Sequence, residues 1–205
     1  MPLFLGSIIA LSLTGVMMPG PVTAVTVAKG SQRKEAGVLV ALGHGIIEFP
    51  LIALLYFGFA QYLELVTVRI AVGAVGGVVL LWIALGMFNI KLESLSDKQE
   101  TPRGSIFAGL ATTAANPYFY VWWASIGAAI LANAQNFGNA GIALFGITHW
   151  LCDAGWLFLL GWMVFKSKRL WTENVHRVVF GICAAVLLGF GGWFIYSSIN
   201  LAVNG

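Results

Sequence analysis

The stretch that decides the fold is residues 36–63, AGVLVALGHGIIEFPLIALLYFGFAQYL, which contains one acidic residue, Glu48, and no lysine or arginine. An apolar stretch of about 20 residues is long enough to cross the hydrocarbon core of a bilayer as a helix. The rest of the chain is similar, because 59% of its 205 residues are hydrophobic and only 9% are charged. Soluble domains carry roughly 25% charged residues. We therefore predict an integral membrane protein that is surrounded by lipid.

Five further apolar stretches accompany this one, and the connectors between them are short. The predicted spans are 3–28, 36–63, 67–89, 105–132, 140–165 and 175–199. No lysine or arginine precedes the first apolar run, which is also too long for a signal peptide, so we interpret it as a retained membrane helix. The most polar connector, about residues 91–104, divides a single transmembrane domain into a first half (about 1–90) and a second half (about 105–205).

Basic residues are unevenly distributed between the connectors. The first, third and fifth connectors contain Lys29, Arg33, Lys34, Lys91, Lys98, Arg103, Lys166, Lys168, Arg169 and Arg177. The second contains only Arg69, and the fourth contains none. Because short loops rich in lysine and arginine stay in the cytoplasm, we predict cytoplasmic first, third and fifth connectors. Both termini would then be extracytoplasmic in a multi-pass protein of the inner or plasma membrane.

The two halves share a short sequence repeat. Ser7-Ile8-Ile9-Ala10 lies twelve residues before Pro19, and Ser105-Ile106-Phe107-Ala108 lies twelve residues before Pro117. Each proline interrupts the first helix of its half, and because each half has three spans, the second copy is inserted upside down. Inverted repeats with broken helices near the bilayer midplane are typical of secondary transporters. The prediction is an all-α fold of six transmembrane helices, arranged as two inverted three-helix repeats with broken first helices.

The two breaks, at Pro19-Gly20-Pro21 and Asn116-Pro117, are candidate sites for substrate or a coupling ion. Proline cannot donate a backbone hydrogen bond, so Pro19 and Pro117 free the carbonyl groups of Gly15 and Thr113. Free backbone groups at membrane depth persist only where protein or a polar cavity covers them. The alternative interpretation is a simple kink that neighbouring helices satisfy.

Two predicted spans carry a histidine followed four residues later by an acid, His44 with Glu48 and His149 with Asp153. This spacing places both side chains on one helix face, and an ionisable group at mid-bilayer costs on the order of 2.5–3.5 kcal/mol. Each pair could simply neutralise itself. Alternatively, Glu48 and Asp153 carry protons, because burial favours a neutral carboxyl group and a protonated imidazole favours a charged one. In a third interpretation, the four residues bind a divalent cation such as zinc or manganese, with Cys152 as a further soft ligand.

Other classes of function lack their motifs. The sequence has no phosphate-binding loop, no His-Glu-x-x-His zinc motif and no Gly-x-Ser-x-Gly nucleophile motif. It also has no extended basic face for nucleic acid. We therefore expect no enzymatic activity, no resident cofactor and no nucleic-acid partner, and transport that uses ion or solute gradients. Gly73 and Gly77 allow a close helix contact, either within the monomer or in a homodimer.

The breaks at Pro19-Gly20-Pro21 and Asn116-Pro117, with six spans in about 200 residues, resemble the lysine-exporter (LysE/RhtB-type) family. The resemblance covers the whole chain, and the Gly37–Gly43–Glu48 spacing is similar to the second helix of that family. There an acid would fall on Glu48. The resemblance implies a secondary-active exporter of amino acids or similar small solutes, with proton coupling. The wider superfamily includes exporters of heavy metals and manganese, and a thiol-redox branch.

The chain departs from this family in its polar residues. Tyr118 follows Asn116-Pro117 where lysine is common, and His44 and His149 are additions. These departures favour a cation, so the alternative function is export of a divalent metal ion such as zinc or manganese. The redox branch is not favoured, because Cys152 has no counterpart in the first half.

Overall fold

The computed structural model of the chain describes residues 2–63, 65–88, 101–167, 170 and 172–204. Most of the predicted connector at 91–104 lies outside these residues, as do Lys168 and Arg169. The described part contains helices and no strand, which confirms the all-α prediction. The helices are α1 (Pro2–Val16), α2 (Pro21–Gly30), α3 (Ala36–Tyr56), α4 (Ala60–Leu63), α5 (Val66–Phe88), α6 (Pro102–Ala114), α7 (Pro117–Trp122), a π-helical segment (Trp123–Gly127), α8 (Ala128–Gln135), α9 (Gly138–Ser167) and α10 (Glu173–Asn204).

Four helices in the described part are long and apolar enough to cross a membrane: α3, residues Val66–Leu85 of α5, α9 and α10. The pair α1 and α2, bent by 78°, is a fifth candidate if the two count as one span. The predicted fourth span, 105–132, is divided at Asn116 into α6 and the helices that follow. The arrangement of six spans as an inverted repeat therefore stays a prediction.

Both predicted breaks separate helices in the structure. Gly20 is extended (φ −165°, ψ −170°) ahead of α2, and Asn116 is extended (φ −100°, ψ 99°) ahead of α7. Proline occupies the first position of each following helix, where a missing N–H costs nothing.

The carbonyl groups expected to be free at these breaks accept local hydrogen bonds instead. Gly15 accepts from the backbone N–H of Met18 at 3.2 Å, and Thr113 accepts from that of Asn116 at 3.1 Å. A final turn that tightens in this way satisfies the carbonyl groups of a helix end. Neither carbonyl is therefore free in the way expected from the sequence, and the role of the two breaks in binding substrate or an ion stays a prediction.

The second predicted span, 36–63, is shorter as a helix. α3 ends at Tyr56, and the chain turns at Gly58 with φ +87° before the short helix α4. A positive φ is readily adopted by glycine, so Gly58 accounts for the end of the helix.

Helix α3 lies between α6 and α9 and contacts both. Gly43 touches the α6 backbone, and Gly109 of α6 touches the α3 backbone, so a β-carbon at either position would collide with main-chain atoms. Gly37 of α3 meets α9 in the same way. Small residues allow helices to approach this closely. The middle of α3 is consequently enclosed, and side chains there face the neighbouring helices.

Apolar residues fill the interior on both sides of α3 and also cover the outside. One core joins α2, α3, α5 and α10 and includes Val25, Val40, Leu80 and Leu187. A second joins α1, α3, the π-helical segment and α9 and includes Ile8, Leu51, Trp123 and Phe145. Many large apolar side chains, such as Leu3, Val75, Trp82 and Trp193, are exposed. An apolar exterior of this extent suits a lipid environment.

Candidate functional site

The two His-x-x-x-acid pairs occupy the middle of two long helices that contact each other. α3 carries His44 and Glu48, and α9 carries His149 and Asp153. All four side chains are buried, and Glu48 is completely enclosed. The close approach of α3 and α9 at Gly37 brings the pairs to one place.

These four residues, which we call the His–acid cluster, meet around one oxygen of Glu48. Glu48 Oε1 lies 3.1 Å from His44 Nε2 and 3.1 Å from His149 Nε2. Asp153 Oδ2 lies 3.4 Å from His149 Nε2 and 3.9 Å from His44 Nε2. Each histidine therefore contacts the acids of both helices, and the pairs form a single cluster.

The outer nitrogen of each imidazole contacts a hydroxyl group from the other half of the chain. His44 Nδ1 lies 2.9 Å from Thr113 Oγ1 on α6, and His149 Nδ1 lies 2.8 Å from Ser12 Oγ on α1. Contacts of this kind fix the orientation of an imidazole ring. Nothing in the sequence marks Ser12, and Thr113 is marked only by its position four residues before Pro117.

Thr113 also determines which nitrogen of His44 carries hydrogen. Its hydroxyl group donates to the carbonyl of Gly109 at 2.7 Å, which favours the arrangement in which its oxygen accepts from His44 Nδ1–H. In a neutral His44, Nε2 would then present a lone pair to Glu48 Oε1 at 3.1 Å. Two lone pairs repel, so this contact requires a proton or a metal ion between the two atoms.

Two carboxylate oxygens of the cluster lack a hydrogen-bond donor in the described part of the chain. They are Glu48 Oε2 and Asp153 Oδ2. The 3.4 Å approach of His149 Nε2 to Asp153 Oδ2 is an ion-pair distance without the alignment of a hydrogen bond. An unsatisfied buried acceptor costs on the order of 1–3 kcal/mol, and more if charged. Both atoms are therefore suited to a cationic occupant.

Aromatic rings from the segment after the second break cover the histidines. Trp122 stacks on His149 with a centroid distance of 4.8 Å, and Trp123 meets the same ring edge-on at 5.1 Å. Phe119 meets His44 edge-on at 5.3 Å. Trp123 begins the π-helical segment, a feature frequent at functional sites. The sequence shows a group of aromatic residues here, but it does not indicate which of them contact the cluster.

A cavity of about 100 Å³ adjoins the cluster and both breaks. The residues predicted from sequence that line it are Pro19, Gly20, Pro21, His44, Glu48, Asn116, His149 and Asp153. Pro117 lines a second cavity, of about 440 Å³, together with Arg69 and Ser197. Cys152 is half-buried on α9 and is not among the residues that line either cavity.

Three residues of the cluster offer a possible metal-binding set. Ligand atoms of His44, Glu48 and Asp153 all lie within 4.8 Å of one another, and all three side chains are buried. Imidazole nitrogen and carboxylate oxygen are donors that zinc and manganese accept. The chemistry of this set therefore fits a divalent cation as well as a proton.

A chain with several apolar helices and buried ionisable groups beside an internal cavity belongs to the class of membrane transporters. Residues 13–198 match the family model of the LysE type translocator, so the chain is a member of that family. This confirms the resemblance seen in the sequence, and it makes the protein a multi-pass membrane exporter of small solutes. Members are transporters, which fits the expectation that the chain is not an enzyme. Comparisons with curated proteins and with solved structures give no match.

Proposed function

We propose that the protein is a proton-coupled exporter of amino acids or similar small zwitterions, and that the His–acid cluster carries the coupling proton. The observation that supports this most directly is the contact between His44 Nε2 and Glu48 Oε1. With the hydrogen of His44 on Nδ1, this 3.1 Å contact is favourable when a cation lies between the two atoms, and a proton is the simplest one. A cavity adjoins the cluster, and the side chains of Glu48 and Asp153 are among those that line it.

Competition between the proton and the substrate for the same acids would couple the movement of substrate to the movement of protons. An ammonium group that approaches Glu48 Oε2 and Asp153 Oδ2 favours the charged form of both acids, and therefore release of the proton. Return of the empty transporter would require the proton again. Alternating access would rock one repeat against the other around the cluster.

The test is gradient-driven efflux by Glu48→Gln in proteoliposomes that are loaded with a radiolabelled amino-acid mixture. We expect this variant to lose coupling to a pH gradient while it keeps its helical circular dichroism spectrum. Glu173→Gln is the control, since Glu173 is an exposed acid paired with Arg177 at 3.0 Å. Wild-type coupling in the Glu48→Gln variant would end the proposal.

The second candidate is export of a divalent metal ion, which the arrangement of His44, Glu48 and Asp153 within 4.8 Å favours. His149 and Cys152 complete the ligand set proposed from the sequence. Purified protein should then bind zinc or manganese, and the double variant His44→Ala with His149→Ala should lose that binding. Cys152→Ser should weaken metal binding if Cys152 is a ligand. Cys183→Ser is its control, because Cys183 lies in the apolar core away from the cluster. Protein without bound metal at micromolar zinc and manganese would exclude this candidate.

We also propose the finer architecture that the sequence suggests. The protein would have six spans in two inverted repeats and both termini outside the inner or plasma membrane. Gly73 and Gly77, which could also have served a homodimer, lie against α10 of the same chain. The exchange of contacts between halves, with His44 on Thr113 and His149 on Ser12, supports the repeat. The excess of basic residues in three connectors supports the orientation.

A further inference from the structure

The cavity beside the cluster also contains an unsatisfied hydrogen-bond donor. Trp122 is 6% exposed and lines the cavity, and its indole Nε1 has no acceptor in the described part of the chain. This nitrogen lies against Gly15, because a β-carbon at that residue would be 2.8 Å from it. Gly15 lies at the end of α1 and lines the same cavity. The indole nitrogen therefore packs against the end of α1, beside the first break.

The start of α2 adds a second source of positive potential at the same place. α2 has 10 residues, its N-cap is Gly20, and no side chain caps its first turn. Gly20, Pro21, Val22 and Thr23 all line the cavity. The first amide groups of a helix point outward and carry a partial positive charge, which attracts anions.

The opposite polarity comes from the acids. Glu48 Oε2 and Asp153 Oδ2 are buried acceptors without a donor in the described residues, and both side chains line the cavity. Side chains with unsatisfied acceptors on α3 and α9 thus line one small cavity together with Trp122, whose indole nitrogen is unpartnered, and the uncapped start of α2. A buried polar atom without a partner is costly, so an occupant that satisfies both sets is favoured.

We propose that this cavity is a dipolar site for a single small zwitterion. The carboxylate binds Trp122 Nε1–H and the backbone N–H groups of Val22 and Thr23, because Pro21 has no N–H. The ammonium group binds Glu48 Oε2 and Asp153 Oδ2. The inference rests on the proposed function and makes it more specific, because it assigns each end of the substrate to named atoms. Trp122 becomes a specificity-determining residue for the carboxylate.

The size of the cavity limits the occupant. About 100 Å³ equals the space of roughly three water molecules, at about 30 Å³ each. Pockets for drug-sized ligands are typically about 300–1,000 Å³. A cavity of this size favours an amino acid with a short side chain over a larger one.

Three matched probes test the inference: L-alanine, ethylamine, which lacks the carboxylate, and propionate, which lacks the ammonium group. Binding to purified protein is measured by calorimetry. We expect wild-type protein to bind L-alanine at least tenfold more tightly than either analogue.

The variant Trp122→Phe keeps the stacked ring and removes the N–H. It should therefore weaken the binding of L-alanine about tenfold and leave the binding of ethylamine unchanged. Trp82→Phe is the matched control and should leave L-alanine binding unchanged, because it makes the same change at an exposed residue of α5 that does not line the cavity.

A second measurement does not depend on transport. In ¹⁵N-indole-labelled protein, the Trp122 signal is identified by its loss in Trp122→Phe. L-Alanine should shift it, and ethylamine should not. The inference is overturned if L-alanine leaves this signal in place, if Trp122→Phe weakens L-alanine and ethylamine equally, or if none of the probes binds. A shifted Trp122 signal combined with wild-type coupling in Glu48→Gln would instead refute the proton coupling and retain the carboxylate site.

Discussion

Thr113 shows how one hydroxyl group sets the chemistry of the cluster. It donates to Gly109 and accepts from His44, so it fixes both the ring and its hydrogen. The adjacent Thr112 is equally buried, but its hydroxyl group bonds only to carbonyls of its own helix, at Ala108 and Gly109. Two neighbouring threonines therefore differ in role, since only Thr113 contacts the His–acid cluster.

We expect Thr113→Val to reduce gradient-driven efflux about tenfold. The substitution keeps the shape of the side chain but leaves the Nδ1–H of His44 without an acceptor, which costs on the order of 1–3 kcal/mol. Thr113→Ser should restore efflux, because it restores the hydroxyl group. Initial efflux rates from proteoliposomes at several pH values measure the effect. Equal losses in Thr112→Val and Thr113→Val would contradict the role assigned to Thr113.

Sequence indicates the cluster itself but not the residues around it. His44 and Glu48 stand out because an ionisable residue within an apolar span is rare, and the same holds for His149 and Asp153. Thr113, Ser12 and Trp122 are ordinary residues for a membrane helix. Their contacts arise from packing between distant segments, which one sequence does not encode in a local pattern.

At the scale of helices, the contact between α3 and α6 positions the site. Gly43 and Gly109 let the two backbones touch, and His44 follows Gly43 directly in sequence. The contact therefore holds His44 within reach of Thr113.

Helix boundaries were less predictable from the sequence than this contact. The end of α3 depends on Gly58, and the π-helical segment after Trp122 has no recognised sequence signal. Proline, by contrast, correctly indicated both helix breaks.

Gly43→Ala and Gly109→Ala should each destabilise the protein by about 1–3 kcal/mol, because the new methyl group would collide with main-chain atoms. Thermal unfolding in detergent, followed by circular dichroism, measures the change. Gly155→Ala is the control: Gly155 is exposed on α9, and a β-carbon there would have no neighbouring atom within 4 Å, so alanine should be neutral or slightly stabilising. An unfolding temperature for Gly43→Ala equal to that of Gly155→Ala would refute the close contact as a source of stability.

At the scale of the whole molecule, the distribution of charge predicts the orientation of the chain in the membrane. The connector between α2 and α3 is basic at Arg33 and Lys34, and α10 ends at the polar Asn204. If the first connector is cytoplasmic, Asn204 is extracytoplasmic only when the chain crosses the membrane an odd number of times between that connector and Asn204. With six spans in all, five lie between them, which is an odd number. The orientation test therefore also examines the number of spans.

Single cysteines introduced as Lys34→Cys and Asn204→Cys, in a background with Cys152→Ser and Cys183→Ser, should label differently in intact cells. A membrane-impermeant maleimide should reach Asn204→Cys directly and Lys34→Cys only after permeabilisation. Both positions are exposed, so access to the reagent differs only through the membrane. Labelling of both from the same side would contradict the combination of six spans and this orientation.

The contacts between His44 and Thr113 and between His149 and Ser12 bear on the efficiency of transport. Each joins a helix of one half to a helix of the other, so relative displacement of the halves stretches both together. An unloaded protein would have to break two enclosed hydrogen bonds in order to switch, with no compensating gain. If transport is coupled to a gradient as we propose, this barrier would limit slippage, in which the gradient is dissipated without export.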